Sequence, residues 1–279
     1  MAKREEHAFL FGPFVGALDW EFYRFAPYAI YLKKLNPHIK MIVLTREDRF
    51  DLYGQYADIL VPLKIKDDSE LECNNFKCNS LSLSSYKTIK KLFRKSYEER
   101  FVIDHQYIPD IESFRYKLKW QFPRYNMDYN FRPRSSNIDI IKNIGLNFEN
   151  LVFIDLSWIN NDVIKEDIIK KLDFNFIEYD DFVSRINNNI IKNKSSLLGC
   201  IIYLLNIVQL VIGNLQSPVT KLSLLLRKNL ICLNESLNAD SIHLLNPFNI
   251  NISLCENIED VKGKIYELTG LEKKYEIYV

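Results

Sequence analysis

Neither glycine fingerprint of phosphate-binding α/β proteins occurs in this chain. The dinucleotide pattern G-x-G-x-x-G is missing, because Gly12 and Gly16 have the wrong spacing and no acidic residue follows at the expected strand end. That excludes a nicotinamide oxidoreductase. The pattern G-x-x-x-x-G-K-[ST] is also missing, which argues against a P-loop phosphotransferase. Net charge is nearly absent at +1, so nothing in the overall charge points to a polyanion partner. The five cysteines are odd in number and form no disulfide framework. Cys200, Cys232 and Cys255 lie in apolar segments, where Cys acts as a small buried hydrophobe, and Cys73 and Cys78 lack a second Cys or His pair for zinc. No metal site is expected, and a reducing, cytoplasmic location fits best. The opening MAKREEHAFLF has no apolar core followed by a small-residue cleavage site, so no secretory signal is expected. The longest apolar stretch, 197–212, is short for a membrane span and is interrupted by Asn206 and Gln209. It reads instead as a buried helix over 195–205 and a strand from Ile207.

What is present is ordinary globular composition, with 47% hydrophobic and 26% charged residues, and 279 residues suffice for two medium domains. The most informative stretch is IVQLVIGNLQSPVTKLSLLLRKNLICLNE, from Ile207 to Glu235. A β-branched run over 207–212 is broken by Gly213-Asn214, and from Ser217 the residues Val219, Leu222, Leu225 and Leu226 recur at helical spacing. A second apolar run, 230–233, follows the basic helix end Arg227-Lys228. Strand, helix, strand implies a parallel sheet with a right-handed crossover. Ligands of such sheets sit at the carboxyl ends of strands, where Asn214, Gln216, Ser217 and Thr220 stand beside the N–H groups of a helix start. Ser217 reads equally well as a helix N-cap, with Pro218 at the first helical position.

The same pattern opens the chain. A strand over 7–11 runs into Gly12-Pro13-Phe14-Val15-Gly16, and Asp19-Trp20-Glu21 begin a helix, kinked at Pro27 and ended by Asn36-Pro37. A strand over 40–44 ends in the charged loop Thr45-Arg46-Glu47-Asp48-Arg49. A short helix over 51–56 and a strand over 59–62 follow, then a polar stretch over 64–79 that reads as a loop or insertion. The segment 86–100 reads as a basic amphipathic helix with its lysines in water, and 101–104 as another strand. The aromatic and basic segment 114–134, ending in Phe131-Arg132-Pro133-Arg134, suits phosphate and ring contacts or a packed interdomain crossover equally. Strands over 150–156, ending at Ser157-Trp158, and over 174–179 begin a second set, with helices over 163–172 and from 195. A helical turn over 241–245, a strand over 250–254 and a helix over 258–268 finish it.

The expected architecture is therefore α/β, with two Rossmann-like domains over 1–134 and 135–265 facing across a cleft between their strand carboxyl ends. A tail over 266–279 is expected to pack back on the first domain. The opening GPFVGALDWEFYRFAPYAIYLKKLNP, the later VLTREDRFDLY and the unit IGNLQSPVTKLSLLLRKNLICLNE together resemble a GT-B-type glycosyltransferase, akin to ADP-heptosyltransferases and related phage or bacterial sugar transferases. The resemblance implies a nucleotide-sugar held by the second domain, an acceptor held by the first, and no obligatory metal or other cofactor. It implies donor contacts from Asn214, Gln216, Ser217 and Thr220, with Arg134, Ser157, Trp158 and Glu235 contributing base, phosphate or hydroxyl contacts. Gly12, Gly16, Trp20 and Arg46 fall on the acceptor side. A general base belongs at the start of the first helix, where heptosyltransferase-like proteins favour Asp19 and relatives with a GxxGWE-like opening favour Glu21. Two departures stand out: Lys221 occupies the region where the family pattern has His, and Pro218 removes one loop N–H. The competing expectation is a non-catalytic GT-B-like protein that binds a nucleotide or nucleic acid through 114–134. A surface glycan is the default acceptor and a modified DNA base the other; no oligomeric state is implied.

Overall fold

A computed structural model describes residues 6–14, 18–64, 83–108, 128–157, 159, 162–172, 174–193, 196–215, 217–233, 252–255 and 258–269. The chain divides into two compact units, residues 1–135 and 136–279.

Among the described residues, the first unit is built on four parallel strands: β1 (His7–Phe11), β2 (Lys40–Thr45), β3 (Ile59–Pro62) and β4 (Val102–Tyr107), in the order β3-β2-β1-β4. Alternation along β1 explains its two-sided burial. Ala8 and Leu10 join Ile42, Leu44 and Phe93 in a cluster on one face, while Phe11 packs edge-on to Phe25 and flat against Tyr107 at 4.8 Å. Helix α3 (Leu83–Glu98) covers the Leu10 face, burying Tyr86 and Phe93 and directing its lysines outward as the sequence reading expects. On β4 the register with β1 slips between Ala8 and Phe9, a bulge that places Asp104 against His7.

The first helix departs from expectation. Instead of a helix kinked at Pro27, a short α1 (Leu18–Trp20) passes into a π-helical turn, Glu21–Phe25, before α2 (Ala26–Leu35), with Pro27 in its first turn. Such a turn accommodates one extra residue per helical turn. Here it lets Glu21 point inward. The expected helix over 51–56 is a 3-10 segment, Glu47–Leu52, and β4 runs three residues beyond 104.

Among the described residues, the second unit holds five parallel strands: β5 (Val152–Ile154), β6 (Phe176–Glu178), β7 (Leu210–Gly213), β8 (Asn229–Leu233) and β9 (Ile252–Cys255), in the order β6-β5-β7-β8-β9. Helices α4 (Ser135–Asn143), α5 (Asp162–Lys170), α6 (Tyr179–Asn193), α7 (Leu197–Ile207), α8 (Pro218–Leu225) and α9 (Ile258–Thr269) accompany them, with α6 and α7 in succession between β6 and β7. One core lies between Ile154, Leu210, Ile212, Ile231, Val261 and Ile265. Helix α6 is absent from the sequence reading, because its run of asparagines masks the buried pair Phe182 and Ile186 at i and i+4. Ile207 ends α7 rather than beginning a strand, since Val208 turns extended and β7 starts at Leu210. The apolar stretch is thereby cut in two. Among the described residues no helix is long and apolar enough to cross a membrane.

Candidate functional site

Each sheet has one place where the strand order reverses, and ligands of open α/β sheets bind outside the carboxyl ends of strands at that place. In the first unit it lies between β1 and β4, in the second between β5 and β7.

At the end of β1 the backbone leaves through Gly12, with φ +105° and an N–H donated to the Tyr107 carbonyl at 2.7 Å. A Cβ here would stand 2.3 Å from the Leu44 carbonyl oxygen, so only glycine fits. The Phe14 N–H donates to the same carbonyl, and Tyr86 donates to the Pro13 carbonyl at 3.2 Å. The loop is thus held from β2, β4 and α3 together. Asp19 follows on α1, half-buried. Two residues later Glu21 is fully buried, accepting Thr45 Oγ1 and Tyr53 OH on Oε1, each at 2.6 Å, and Arg49 Nη1 on Oε2 at 2.9 Å. Burial raises its pKa above the ordinary carboxylate value, against the charge of Arg49 and the three hydrogen bonds that lower it. Burial and the adjacent carboxylate also push Tyr53 well above the usual phenol range, which keeps its O–H a donor. Both Glu21 oxygens therefore face donors of the protein itself, while Asp19 keeps contact with solvent.

The 3-10 segment that supplies Arg49 also supplies Asp51, which is fully buried. Arg134 grips it with Nε and Nη2, each at 3.0 Å, and its backbone N–H adds a third bond at 3.1 Å. Gly54, at φ +43°, lies under the Arg132 carbonyl, where a Cβ would fall 1.7 Å from the oxygen. Tyr56 OH donates to the Asn130 carbonyl at 3.0 Å, and Phe131 is buried. The described end of the basic segment, 128–134, is packed against Asp51, Gly54 and Tyr56 of its own unit. Arg46 is drawn to its neighbour Asp48, with Nε 3.2 Å from Oδ1.

In the second unit Asp155, the residue after β5, is fully buried and gathers the loops on both sides of the strand-order reversal. Its Oδ1 accepts Ser157 Oγ at 2.6 Å and the Ser157 N–H at 3.2 Å; its Oδ2 accepts Ser217 Oγ and, at 3.2 Å, Thr220 Oγ1. Ser217 is also the N-cap of α8, accepting the Val219 N–H at 3.2 Å. Gly213 makes the close approach of α8 feasible, because a Cβ would meet Thr220 Oγ1 at 2.3 Å. The glycine that the sequence presents as a strand breaker serves as a packing position. Asn214 is buried and donates to the Leu233 carbonyl at 3.3 Å; Lys221 is buried on α8.

At the end of β6, Glu178 is buried and caps α6, with Oε2 accepting the N–H groups of Asp180 at 2.7 Å and Asp181 at 3.1 Å. Among the described residues its buried Oε1 has no hydrogen-bond partner. Burial raises the Glu178 pKa, against the two backbone bonds that lower it.

The structure brings Ser157, Ser217 and Thr220 together around Asp155, beside Asn214. Gly16, Trp158, Gln216, Glu235, the helical turn over 241–245 and the tail from 270 lie outside the described residues, as does the larger part of 114–134, and of Trp20 only the backbone in α1 is described. Asp51, Asp155 and Glu178 escaped the sequence reading. For Asp155 and Glu178 the available signal was an acid directly following or closing an apolar strand, FID and FIE, a signal that Asp51 in RFDLY lacks.

Two Rossmann-like parallel sheets in tandem, each with a loop held at its strand-order reversal, define a GT-B-like fold. Solved structures that the chain resembles include glycosyltransferases. The E. coli ADP-heptose LPS heptosyltransferase II aligns with a TM-score of 0.50 at 10% identity, over 95% of this chain and 98% of that one. A family 9 glycosyl transferase from Veillonella parvula aligns with a TM-score of 0.48 at 11% identity, over 97% and 91%. The E. coli heptosyltransferase WaaC with ADP aligns with a TM-score of 0.47 at 12% identity, over 94% and 99%. The likeness is one of fold. No family model matches the chain, and no curated protein matches it in sequence.

Proposed function

We propose that the protein is a glycosyltransferase that moves a sugar from a nucleoside-diphosphate donor to an acceptor hydroxyl without a metal, with the donor held by the second unit. The observation that carries this reading is Glu178. Among the described residues its Oε1 is a buried carboxyl oxygen with no hydrogen-bond partner, at the end of the strand beside β5, where Rossmann-type sheets hold a ribose hydroxyl. The α8 start, with Asn214, Gln216 and Lys221 near it, would meet the diphosphate, while Ser217 and Thr220 fix the loop through Asp155. Trp158 and Glu235 are proposed to complete the donor contacts. Asp19 is the general base of this proposal in preference to Glu21, because a base must reach the acceptor proton and Glu21 is enclosed by Thr45, Arg49 and Tyr53. Gly12, Gly16 and Trp20 shape the acceptor side, and the acceptor is a glycan hydroxyl.

The test is a thermal-shift panel of ADP, UDP, GDP and CMP with their common sugar conjugates, led by ADP-sugars because heptosyltransferase II is an ADP-heptose enzyme. One nucleotide is expected to raise the melting temperature. Glu178→Gln should weaken that nucleotide more than inorganic pyrophosphate, whereas Asp19→Asn should leave nucleotide binding intact and abolish transfer. Stabilisation by none of them would overturn the reading, and chelator-sensitive transfer would overturn its metal independence.

A further inference from the structure

Charge in this chain nearly balances to +1, yet α3 alone carries Lys87, Lys90, Lys91, Arg94 and Lys95 against Glu98, which leaves the rest of the chain net acidic. The helix spends its apolar side on its own sheet: Tyr86 and Phe93 are buried, with Ile89 and Tyr97 packed around them. Its other side faces outward, with Lys87, Lys91, Arg94 and Lys95 exposed. Arg94 is matched by Glu98 one turn on. At about 3.6 residues per turn, Thr88, Lys91 and Lys95 share the outward face with Leu92, which is 58% exposed. The face is therefore a set of cations around one apolar knob.

We propose that the outer face of α3 is a docking surface for an anionic lipid bilayer, visited reversibly from the water phase. Lipid phosphates would take Lys91 and Lys95, and the headgroup layer would take Leu92, the one group on this face that water serves badly. Duplex nucleic acid would satisfy the cations but leave Leu92 without a role. A single basic face with one leucine makes a weak anchor, which suits transient contact rather than residence. Such a surface serves the protein whatever reaction its two sheets support.

The experiment is cosedimentation of the full chain with phosphatidylcholine vesicles that contain or lack phosphatidylglycerol. Binding is expected only with phosphatidylglycerol, and it should vanish near 1 M salt, where screening reaches about 3 Å. Lys91→Glu with Lys95→Glu should lower the bound fraction by at least tenfold at an unchanged melting temperature. Leu92→Ser should lower it a few-fold and leave the salt dependence alone. No binding to phosphatidylglycerol vesicles, equal binding by the double reversal, or tighter binding to duplex DNA than to vesicles would each overturn the proposal.

Discussion

Arg49 Nη1 stands 2.9 Å from Glu21 Oε2 with both side chains almost wholly out of water, so two formal charges sit inside the first unit facing each other. A buried pair of this kind is weak evidence for stability by itself, but removing one member strands the other. Glu21→Ala is expected to cost about 3–5 kcal/mol in urea denaturation, and Glu21→Leu with Arg49→Met much less. Equal losses for the single and double variants would show that the hydrogen bonds from Thr45 and Tyr53, not the charges, carry the effect.

Acid and alkali should act on two carboxyls in opposite directions. Glu21 has a native pKa above its ordinary 4.5, so its contribution is fully present below that value and is lost as pH rises through the native pKa. Burial raises Asp58, but hydrogen bonds from Lys33 and the Met41 N–H and the charges of Lys33 and Lys40 outweigh it, holding its pKa below the ordinary 3.8. That contribution is present above 3.8 and lost as pH falls through the native value. Melting temperature followed against pH should lose its acid-side fall in part in Asp58→Asn, and its decline as pH rises from 4.5 through the native Glu21 value in part in Glu21→Gln.

Gly213→Ala is expected to destabilise by about 1–3 kcal/mol, as an overpacked core does, because the new methyl meets Thr220 Oγ1. Thr220→Ala in the same chain should recover a good part of that loss. If the double variant is no better than the sum of its parts, α8 does not rest on this contact.

Gly54 should tolerate substitution least. Alanine there faces the Arg132 carbonyl at 1.7 Å and a left-handed backbone, so Gly54→Ala is expected to exceed the cost of Gly213→Ala, with exchange protection lost over 128–134. Asp51→Asn, which weakens the grip of Arg134 without a clash, should loosen the same residues by a smaller amount.

The apolar runs disclose most of the strands, because a strand buried on both faces reads as a continuous block, and LVFI, LVIG and NLICL do so. The cap at Ser217 and the glycine at 12 were legible for the same local reason. The convergence on Asp155 was not, since Ser217 lies 62 residues away from it and only the pairing of β5 with β7 brings them together. Glu21 misleads for a related reason: its place in the sequence is that of a helix-start acid, but the π-helical turn rotates it into the core. Asp51 and Arg134, 83 residues apart, belong to the same class of contact.

The strand order of the first sheet also sets when that sheet can close during synthesis. β1 pairs with β2 and with β4, and the second pairing joins residues about 95 positions apart. Until Tyr107 has left the ribosome, one edge of β1 has no partner and Phe9 and Phe11 have no Tyr107 ring to lie against. The growing chain must therefore carry an open, aromatic strand edge through the making of more than a third of its length, the kind of edge that chaperones cover and neighbouring nascent chains invade.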